Sequence, residues 1–311
     1  MLRKTFLYLS NQQKIFNFVR HNRLAKGFAS RFVAGETADQ AVAAVRALNA
    51  KGITASLDIL GESVHNEGEA RGTARAYVAL LERIARERLD SNVSVKLTAL
   101  GLDVSDEVCL ANVHEVLRCA REHGNFVRLD MEGSAYTERT LELFEEHLQP
   151  VYPENVGIVL QSMLRRTAGD VERAIALNAR VRLCKGAYRE PPEVAFPDKA
   201  DVDDSYARCM RRLMTDGNYP GLATHDERLI DAAQAFAKAE GIAPDRFEFQ
   251  MLYGVRRDLQ ERLVRDGWRL RVYVPFGTQW YPYLMRRLAE RPANLWFITG
   301  SVLKEMTARR R

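Results

Sequence analysis

Residues 53–61 read Ile-Thr-Ala-Ser-Leu-Asp-Ile-Leu-Gly, a short run of apolar and small residues that ends in glycine. Such a run predicts a buried strand. A helical pattern that begins at Ala38 precedes it, and a longer one follows, with apolar residues at helical spacing from Tyr77 to Ile84. Residues 38–88 therefore predict a helix, a strand and a second helix in succession.

The same strand-then-helix pattern recurs along the chain. Further strand-like runs, each followed by a helical pattern, occupy residues 92–97, 126–130, 156–161, 181–188, 221–225, 247–250 and 270–274. Eight strands alternating with eight helices predict an α/β fold of the (β/α)8 TIM-barrel type. A doubly wound open sheet is the alternative, but it would need a glycine-rich turn after its first strand, and residues 58–62 contain no GxGxxG. No Gly-, Pro- or Ser-rich linker divides the series, so we predict one barrel domain, residues 38–311, after an N-terminal helical segment, residues 1–37.

The fifth strand-like run, Val-Arg-Leu-Cys-Lys-Gly-Ala-Tyr at residues 181–188, contains two cations, Arg182 and Lys185. An unpaired charge in an apolar interior costs several kcal/mol, so these side chains need a partner. That partner is a bound cofactor or anion in one interpretation, and a neighbouring acid on an edge strand in the other. This segment alone does not separate the two.

Polar residues collect near the predicted carboxyl ends of all eight strands, which is the catalytic face of a TIM barrel. They are Asp58, Glu62, Lys96, Asp130, Gln161, Arg182, Lys185, Thr224, His225, Gln250 and Tyr273. Salt bridges alone would account for part of this ring, but a barrel selected only for stability would not need all of it.

The last predicted helix, residues 279–291, carries Tyr283, Arg286, Arg287 and Glu290 on one face, because they are spaced i, i+3, i+4 and i+7. Adjacent guanidiniums repel each other unless both bind one carboxylate, whose planar shape suits bidentate donation. The alternative is a surface ion pair between Arg286 and Glu290. The position of the helix after strand eight favours the carboxylate site.

The composition limits the classes of function. The chain has 311 residues, 46% hydrophobic and 28% charged, with no apolar run long enough to span a membrane. We expect a cytoplasmic protein whose four cysteines are reduced thiols, since they lack metal-ligand and disulfide spacing. Neither the cysteines nor the six histidines predict a metal site. Residues 1–35 hold seven basic residues and no acid, which indicates either a packed helix or a peripheral contact with the inner face of the cell membrane.

Seven sequence blocks, in order along the chain, resemble one family closely. They are DILGE at 58–62, VKLTALG at 95–101, RLDME at 128–132, RLCKGAY at 182–188, ATH at 223–225, FEFQMLYG at 247–254 and YLMRRLAE at 283–290. That family is proline dehydrogenase in its short, monofunctional bacterial form. The resemblance implies a distorted barrel with the last helix over the active site and non-covalent FAD at the strand ends.

The resemblance also implies the reaction and its partners. L-Proline would be oxidised to Δ1-pyrroline-5-carboxylate, the first step of proline catabolism, by hydride transfer to flavin N5. Electrons would pass to a membrane quinone, and the product to a separate pyrroline-5-carboxylate dehydrogenase, since we find neither the aldehyde-dehydrogenase half nor the DNA-binding segment of the large fused enzymes. Some members have tryptophan where this chain has Arg189, which leaves the contacts to the adenine unassigned.

Site residues carry over from matching positions only. The implied catalytic residues are Asp130 and Arg182, with Arg182 near the reactive flavin nitrogen. Those implied to bind the substrate are Lys96, Arg286, Arg287, Tyr273, Tyr283, Ala187, Leu252 and Glu62, the last as an ion-pair gate with Arg286. Those implied to contact FAD are Met131, Gln161, Arg182, Lys185, Gly186, Ala187, Thr224 and His225.

Two other functions remain as alternatives. A barrel lyase would use Lys96 or Lys185 as a Schiff-base or phosphate-binding lysine, without a flavin. A nucleic-acid-binding protein would explain the pI of about 9.0, but the basic residues beyond the first 35 are scattered among acids along helices, so we expect no nucleic-acid partner.

Overall fold

The structure is a computed structural model that describes residues 30–61, 63–188 and 190–290, with only the helical backbone described for residues 286–290. Eight parallel strands close into a barrel in sequence order. They are β1 (Thr54–Ile59), β2 (Ser91–Val95), β3 (Val127–Leu129), β4 (Val156–Gln161), β5 (Arg180–Cys184), β6 (Gly221–Ala223), β7 (Glu248–Leu252) and β8 (Leu270–Phe276). The pairing of β1 with β8, from Thr54 opposite Arg271 to Ile59 opposite Phe276, closes the ring.

Helices surround the strands. They are α1 (Ala38–Asn49), α2 (Glu67–Arg86), α3 (Asp106–Glu122), α4 (Ser134–Leu143, continued by a π-helical turn, Phe144–Leu148), α5 (Thr167–Ala176), α6 (Lys199–Asp216), α7 (Glu227–Ala239), α8 (Arg257–Arg265) and α9 (Trp280–Glu290). Side-chain caps fix several starts: Asn66 accepts from the Glu69 amide at 2.9 Å, and Ser105 from the Val108 amide at 3.2 Å. Such caps satisfy amides that the first helical turn leaves unpaired.

Alternation along the strands separates an apolar outer layer from a polar interior. In β1, Ala55 and Leu57 are fully buried members of the hydrophobic core that joins strands to helices. Ser56 and Asp58 alternate with them: Ser56 contacts Arg182 of β5 across the barrel, and Asp58 bonds to Lys96, directly after β2. Since side chains point to opposite faces of a strand in turn, the second set must fill the interior.

Helix α9 lies at the carboxyl-terminal end of the barrel. Its residues Trp280, Tyr281, Tyr283, Leu284 and Met285 form a second apolar cluster with Phe32, Val33 and Leu60, and Val255 packs against that cluster. Leu60 follows β1 directly and Val255 follows β7 by a few residues. The helix is thereby held next to the strand ends.

The predicted barrel is confirmed, and most strand bounds differ from it by only one or two residues. The fifth strand is the larger exception, because β5 ends at Cys184 rather than continuing to residue 188. Lys185 therefore lies in a loop beyond the strand. The prediction for residues 1–37 falls almost wholly outside the described residues. Among the helices that are described, none is long and apolar enough to cross a membrane.

Candidate active site

Arg182 is the centre of the polar barrel interior. Its Nε donates to Gln250 Oε1 at 2.5 Å, and its Nη1 donates to Ser94 Oγ at 3.0 Å and to Asp130 Oδ1 at 2.8 Å. Its Nη2 lies 3.4 Å from Ser56 Oγ. The guanidinium is thus held by residues of β1, β2 and β7 and by Asp130, directly after β3, which fixes a buried positive charge in one orientation.

A second group of charges lies toward the carboxyl end of the strands. Lys96 Nζ is 3.1 Å from Asp58 Oδ1 and 3.5 Å from Asp130 Oδ2. Tyr273 donates its hydroxyl hydrogen to Asp130 Oδ2 at 2.8 Å and accepts from Lys96 at 3.4 Å. With Arg182, two cations and two carboxylates form one network, so each buried charge has a partner of opposite sign.

Burial raises the pKa values of the two carboxyl groups, whereas pairing with cations lowers them. Loss of solvation raises the pKa of Asp58, despite the attraction of Lys96. Burial would also raise the pKa of Asp130, but Lys96 and Arg182, with hydrogen bonds, hold it below its ordinary value. Burial likewise opposes the charge of Lys96, yet Asp58, Tyr273 and Asp130 hold its pKa well above the usual range. Asp130 is therefore ionised and Lys96 is charged at neutral pH.

Gln161, at the end of β4, presents an acceptor without a partner. Its Nε2 donates to the backbone carbonyls of Met131 at 3.0 Å and Glu132 at 2.9 Å. Its Oε1 is buried and has no hydrogen-bond partner within the described part of the chain. A buried carbonyl oxygen left in this way is suited to an N–H or O–H donor of a ligand.

The loops after β5 and β6 meet through Lys185. Its Nζ lies 2.5 Å from Asp203 and 2.9 Å from Asp226. Asp226 also accepts from the Arg228 amide, which anchors the start of α7. His225, the residue before Asp226, accepts from the Leu252 amide through Nε2 at 2.9 Å, which leaves Nδ1 to carry the proton in the neutral ring.

Comparison with known proteins agrees with this geometry. Residues 41–299 match the family described as proline dehydrogenase. The chain is 40% identical over 305 residues to proline dehydrogenase 1 of Bacillus subtilis subsp. natto, covering 98% of this chain and all of that one. The chain belongs to the proline dehydrogenase family. The family and enzyme class predicted from the sequence are thereby confirmed.

Two further relatives in the proline dehydrogenase family extend the comparison. The proline dehydrogenase of Deinococcus radiodurans is 40% identical over 307 residues, which cover 98% of each chain. The crystal structure of proline utilization A from Bdellovibrio bacteriovorus superposes with a TM-score of 0.81 at 30% identity, over 86% of this chain. This chain spans only a third of that longer protein, since 33% of it is covered.

The structure brings together four of the residues predicted for the family's active site. Lys96, Asp130, Arg182 and Tyr273 belong to one hydrogen-bonded network. Tyr283 is buried on α9 among apolar residues. The roles predicted for these residues stay predictions. Glu62 and the side chains of Arg286 and Arg287 lie outside the described residues.

Several positions predicted to contact FAD lie in the loops directly after β5 and β6. Gly186, just beyond β5, has a φ of +102°. Thr224, directly after β6, is 7% exposed and accepts from the Asp226 amide at 3.1 Å. Ala187, predicted to contact both FAD and the substrate, and Leu252, the last residue of β7 and predicted to contact the substrate, are each partly exposed. The contacts of these residues stay predictions.

Sequence reasoning missed two residues that support the network, one on a strand and one on a surrounding helix. Ser94 donates to Asp130 Oδ1 at 2.6 Å and contacts Arg182. Tyr77, on α2, donates to the Ser94 carbonyl at 2.9 Å, accepts from the Ile59 amide at 3.1 Å and lies 3.4 Å from Asp58. Tyr77 was interpreted only as an apolar helix position. The alternation Val93-Ser94-Val95 could have indicated that Ser94 faces the interior.

Proposed function

We propose that this protein oxidises L-proline to Δ1-pyrroline-5-carboxylate with FAD as its cofactor. The observation that supports this most directly is the network of Lys96, Asp58, Asp130, Tyr273 and Arg182 at the carboxyl end of the barrel. In a TIM barrel the catalytic residues come from this end. Family membership gives the proposal its substrate.

The residues present fit a flavin. The free Oε1 of Gln161 is a buried acceptor that suits the imide N–H of an isoalloxazine ring. At Gly186 the φ of +102° favours glycine, and an added Cβ would collide with the Met163 side chain, so the loop after β5 needs glycine at this position. Gln161, Met131, Arg182, Lys185, Gly186, Ala187, Thr224 and His225 are the proposed contacts. When bound, FAD supplies the acceptor for the hydride that leaves C5 of proline.

The carboxylate of proline needs cations that the network does not already neutralise. Lys96 is engaged by Asp58 and Asp130, so its charge is largely balanced within the barrel. We therefore propose that Arg286 and Arg287 of α9 are the main cations that bind the substrate carboxylate, with Lys96 as a third donor. Three groups fixed on one carboxylate would orient C5 and convert binding energy into positioning.

The remaining contacts would shape the ring pocket and keep it dry. Tyr273 is anchored by its hydrogen bond to Asp130, and the Arg182 guanidinium carbon lies 5.4 Å from the centre of its ring. Tyr273, Tyr283, Ala187 and Leu252 are the proposed walls, and Glu62 the proposed gate with Arg286. Asp130 accepts from Arg182, Ser94 and Tyr273, so its role is to orient these groups rather than to remove a proton.

The ring amine must then bind in its deprotonated form for a hydride to leave the adjacent carbon. Arg182 would supply a fixed positive charge beside the hydride acceptor. A preorganised cation at that place stabilises the negative charge that hydride transfer builds on the reduced cofactor. The alternative use of Lys96 as a Schiff-base nucleophile is disfavoured, since its pKa is held well above the usual range and the amine stays protonated.

The electrons and the product need further partners. We propose that a membrane quinone reoxidises the flavin and that a separate dehydrogenase consumes pyrroline-5-carboxylate. The basic residues before Gly35 would supply a peripheral contact with an anionic membrane surface. Sedimentation with anionic liposomes at low salt, lost at high salt, is the expected result. Equal recovery with neutral and anionic liposomes would exclude this contact.

The direct test of cofactor and substrate is the visible spectrum of the purified protein without oxygen. We expect a yellow protein whose flavin absorbance bleaches when L-proline is added and does not bleach with D-proline. A colourless protein that FAD does not reconstitute would refute the proposal that FAD is the cofactor. A yellow protein that L-proline does not bleach would refute the substrate.

The role of α9 is tested by Arg287→Met. Loss of one of the fixed cations on a carboxylate costs about 2–5 kcal/mol, so we expect the KM for proline to rise by roughly 30-fold or more. Bound FAD should be unchanged. The matched control is Arg212→Met, because Arg212 pairs with Glu172 on the outer surface. Unchanged proline kinetics in Arg287→Met would contradict the assignment.

A further inference from the structure

A cavity of about 310 Å³ lies at the end of the barrel opposite α9. We call it the floor cavity. Its lining includes Ser91 and Glu248, the first residues of β2 and β7, and the loop before β3. A second cavity of about 550 Å³ shares Arg180 and Tyr219 with it. The amino ends of barrel strands normally serve stability, so a lined cavity there needs its own explanation.

The lining of the floor cavity is positively charged. It includes four arginines, Arg88, Arg128, Arg180 and Arg271, but only two carboxylates, those of Asp90 and Glu248. Glu248 is already engaged, because Arg271 Nε donates to its Oε1 at 2.7 Å and Gln250 donates to the same oxygen at 2.6 Å. The cavity thus has more positive charge than its own acids neutralise.

Arg128 is the most deeply buried of these four arginines. It is 3% exposed, and its Nη1 donates to two backbone carbonyls, those of Ile158 at 3.2 Å and Arg180 at 2.5 Å. Its Nε is buried without a hydrogen-bond partner, and no described carboxylate lies within ion-pair distance. Burial, followed by repulsion from Arg182, holds its pKa well below the usual range. A bound anion would compensate the buried charge of Arg128 and offset its repulsion by Arg182.

The absence of a side chain at Gly157 leaves the space that the Arg128 guanidinium occupies. A Cβ on Gly157 of β4 would lie 2.6 Å from Arg128 Nη1 and 2.5 Å from the Arg180 carbonyl. Any other residue at 157 would displace the arginine. The buried cation is therefore built into the barrel rather than trapped by loose packing.

Arg180 and Asn92 add further free polar atoms to the same cavity. Arg180 Nε is buried without a partner among the described residues, and its guanidinium lies 5.4 Å from the Phe126 ring centre and 5.7 Å from that of Tyr219. Its nearest acid, Glu154, is 4.0 Å away and 76% exposed, so that pair is weak. Asn92 Oδ1 is also buried, and no residue in the described ranges donates to it. This amide would complement a hydroxyl or protonated oxygen on a ligand.

We propose that the floor cavity binds a small oxyanion, a carboxylate or phosphate group, through Arg128 and Arg180. Planar guanidiniums recognise both groups by paired N–H donation. The volume is at the lower end of the range of about 300–1,000 Å³ for small-molecule sites, which suits a small metabolite and not a macromolecule. The site is separate from the proposed proline and FAD site, and the inference does not depend on that function.

Isothermal titration of the full-length protein with inorganic phosphate and with malonate tests the proposal. Sodium chloride at matched ionic strength serves as the ionic control. We expect saturable binding of at least one oxyanion, with an affinity at least tenfold lower in Arg180→Gln and in Arg128→Met. Tighter phosphate binding would indicate a tetrahedral ligand, and tighter malonate binding a carboxylate. Arg180→Gln is included because Arg128 is 3% exposed and its replacement also perturbs the packing of the barrel, whereas Arg180 is only partly buried.

Two control variants locate the binding. Arg121 resembles Arg180 in stacking over a ring, that of Tyr152 at 4.9 Å, but lies outside the cavity, so Arg121→Gln should bind normally. Lys96→Met should also bind normally, because Lys96 lies at the opposite end of the barrel. Binding that is lost in Lys96→Met but kept in Arg180→Gln would place the anion at the catalytic end and overturn the proposal. No saturable binding, or an equal effect of chloride, would overturn it as well.

Discussion

Replacing Lys96 by methionine would leave two carboxylates in the barrel interior without their shared cation. Lys96 Nζ is 3.1 Å from Asp58, which is 1% exposed, and 3.5 Å from Asp130. Methionine keeps the length and apolar stem of lysine but removes the charge. Breaking a buried ion pair costs about 3–5 kcal/mol of stability, because the remaining charge is left uncompensated.

The loss of stability in Lys96→Met has an upper limit, because Asp58 can become neutral. Asp58 already has a raised pKa, and in the variant it can become neutral by taking up a proton. Holding that proton costs about 1.4 kcal/mol for each pH unit above the ordinary value of 3.8, which is about 4 kcal/mol at pH 7 and about 2 kcal/mol at pH 5. A group whose folded pKa is raised loses stability as pH rises, so Lys96→Met should be more destabilised at pH 7 than at pH 5.

Urea unfolding followed by circular dichroism at pH 5 and pH 7, with the same added FAD throughout, measures this difference. The double variant Lys96→Met/Asp58→Asn should recover about 2 kcal/mol at pH 7, because no uncompensated carboxylate remains at residue 58. Lys51→Met is the matched control. Lys51 pairs with Glu261 at 2.8 Å, but both side chains are more than half exposed, so its loss should cost about 1 kcal/mol or less.

Three results would refute this account of the barrel interior. The first is a loss in Lys96→Met no greater than that in Lys51→Met. The second is a loss that does not change between pH 5 and pH 7. The third is a double variant no more stable than Lys96→Met alone, which would mean that Asp58 does not depend on the lysine charge.

Three further predictions concern the rest of the fold. Despite burial, Lys185 lowers the pKa of Asp226 to about 2, so stability should fall as pH drops from about 4 to about 2, and acid titrations of Asp226→Asn should show less of this loss. Burial raises the pKa of the Cys109 thiol to about 12, so mass spectrometry should find it unlabelled by maleimide at pH 8 until the protein is unfolded. Gly157→Ala should cost about 1–3 kcal/mol in urea unfolding through overpacking, whereas Gly169→Ala on α5, where a Cβ meets nothing, should be neutral or stabilising.

The sequence by itself determined the barrel and the strand-end ring. Alternating strand and helix periods predicted eight strand-helix units, and the order of those units placed Lys96, Asp130 and Arg182 at one end of the fold. This works because parallel strands joined by helices bring all carboxyl ends to one side. The family could be recognised for the same reason, since its functional residues lie in short blocks at the ends of consecutive strands.

The partners of these charges were decided only by the tertiary structure. Arg182 was predicted to meet either an anion or an acid, and the closed barrel brings it to Asp130, 52 positions earlier in the chain, and to Gln250, 68 positions later. Tyr77 carried no sequence signal of a polar role, and for Ser94 only the alternation Val93-Ser94-Val95 indicated a side chain in the barrel interior. Which side chains meet across a barrel depends on strand tilt and register, and local periodicity contains neither.

The floor cavity depends on tertiary structure for the same reason. Arg128 and Arg180 stand in separate strand regions of the sequence, and only the pairing of β3 with β4 and β4 with β5 brings them together over Gly157. The sequence determined which residues are cations and on which face of each strand they lie. Closure of the barrel decided which of them share an acid and which remain unpaired, because burial removes the solvent that would otherwise serve as their partner.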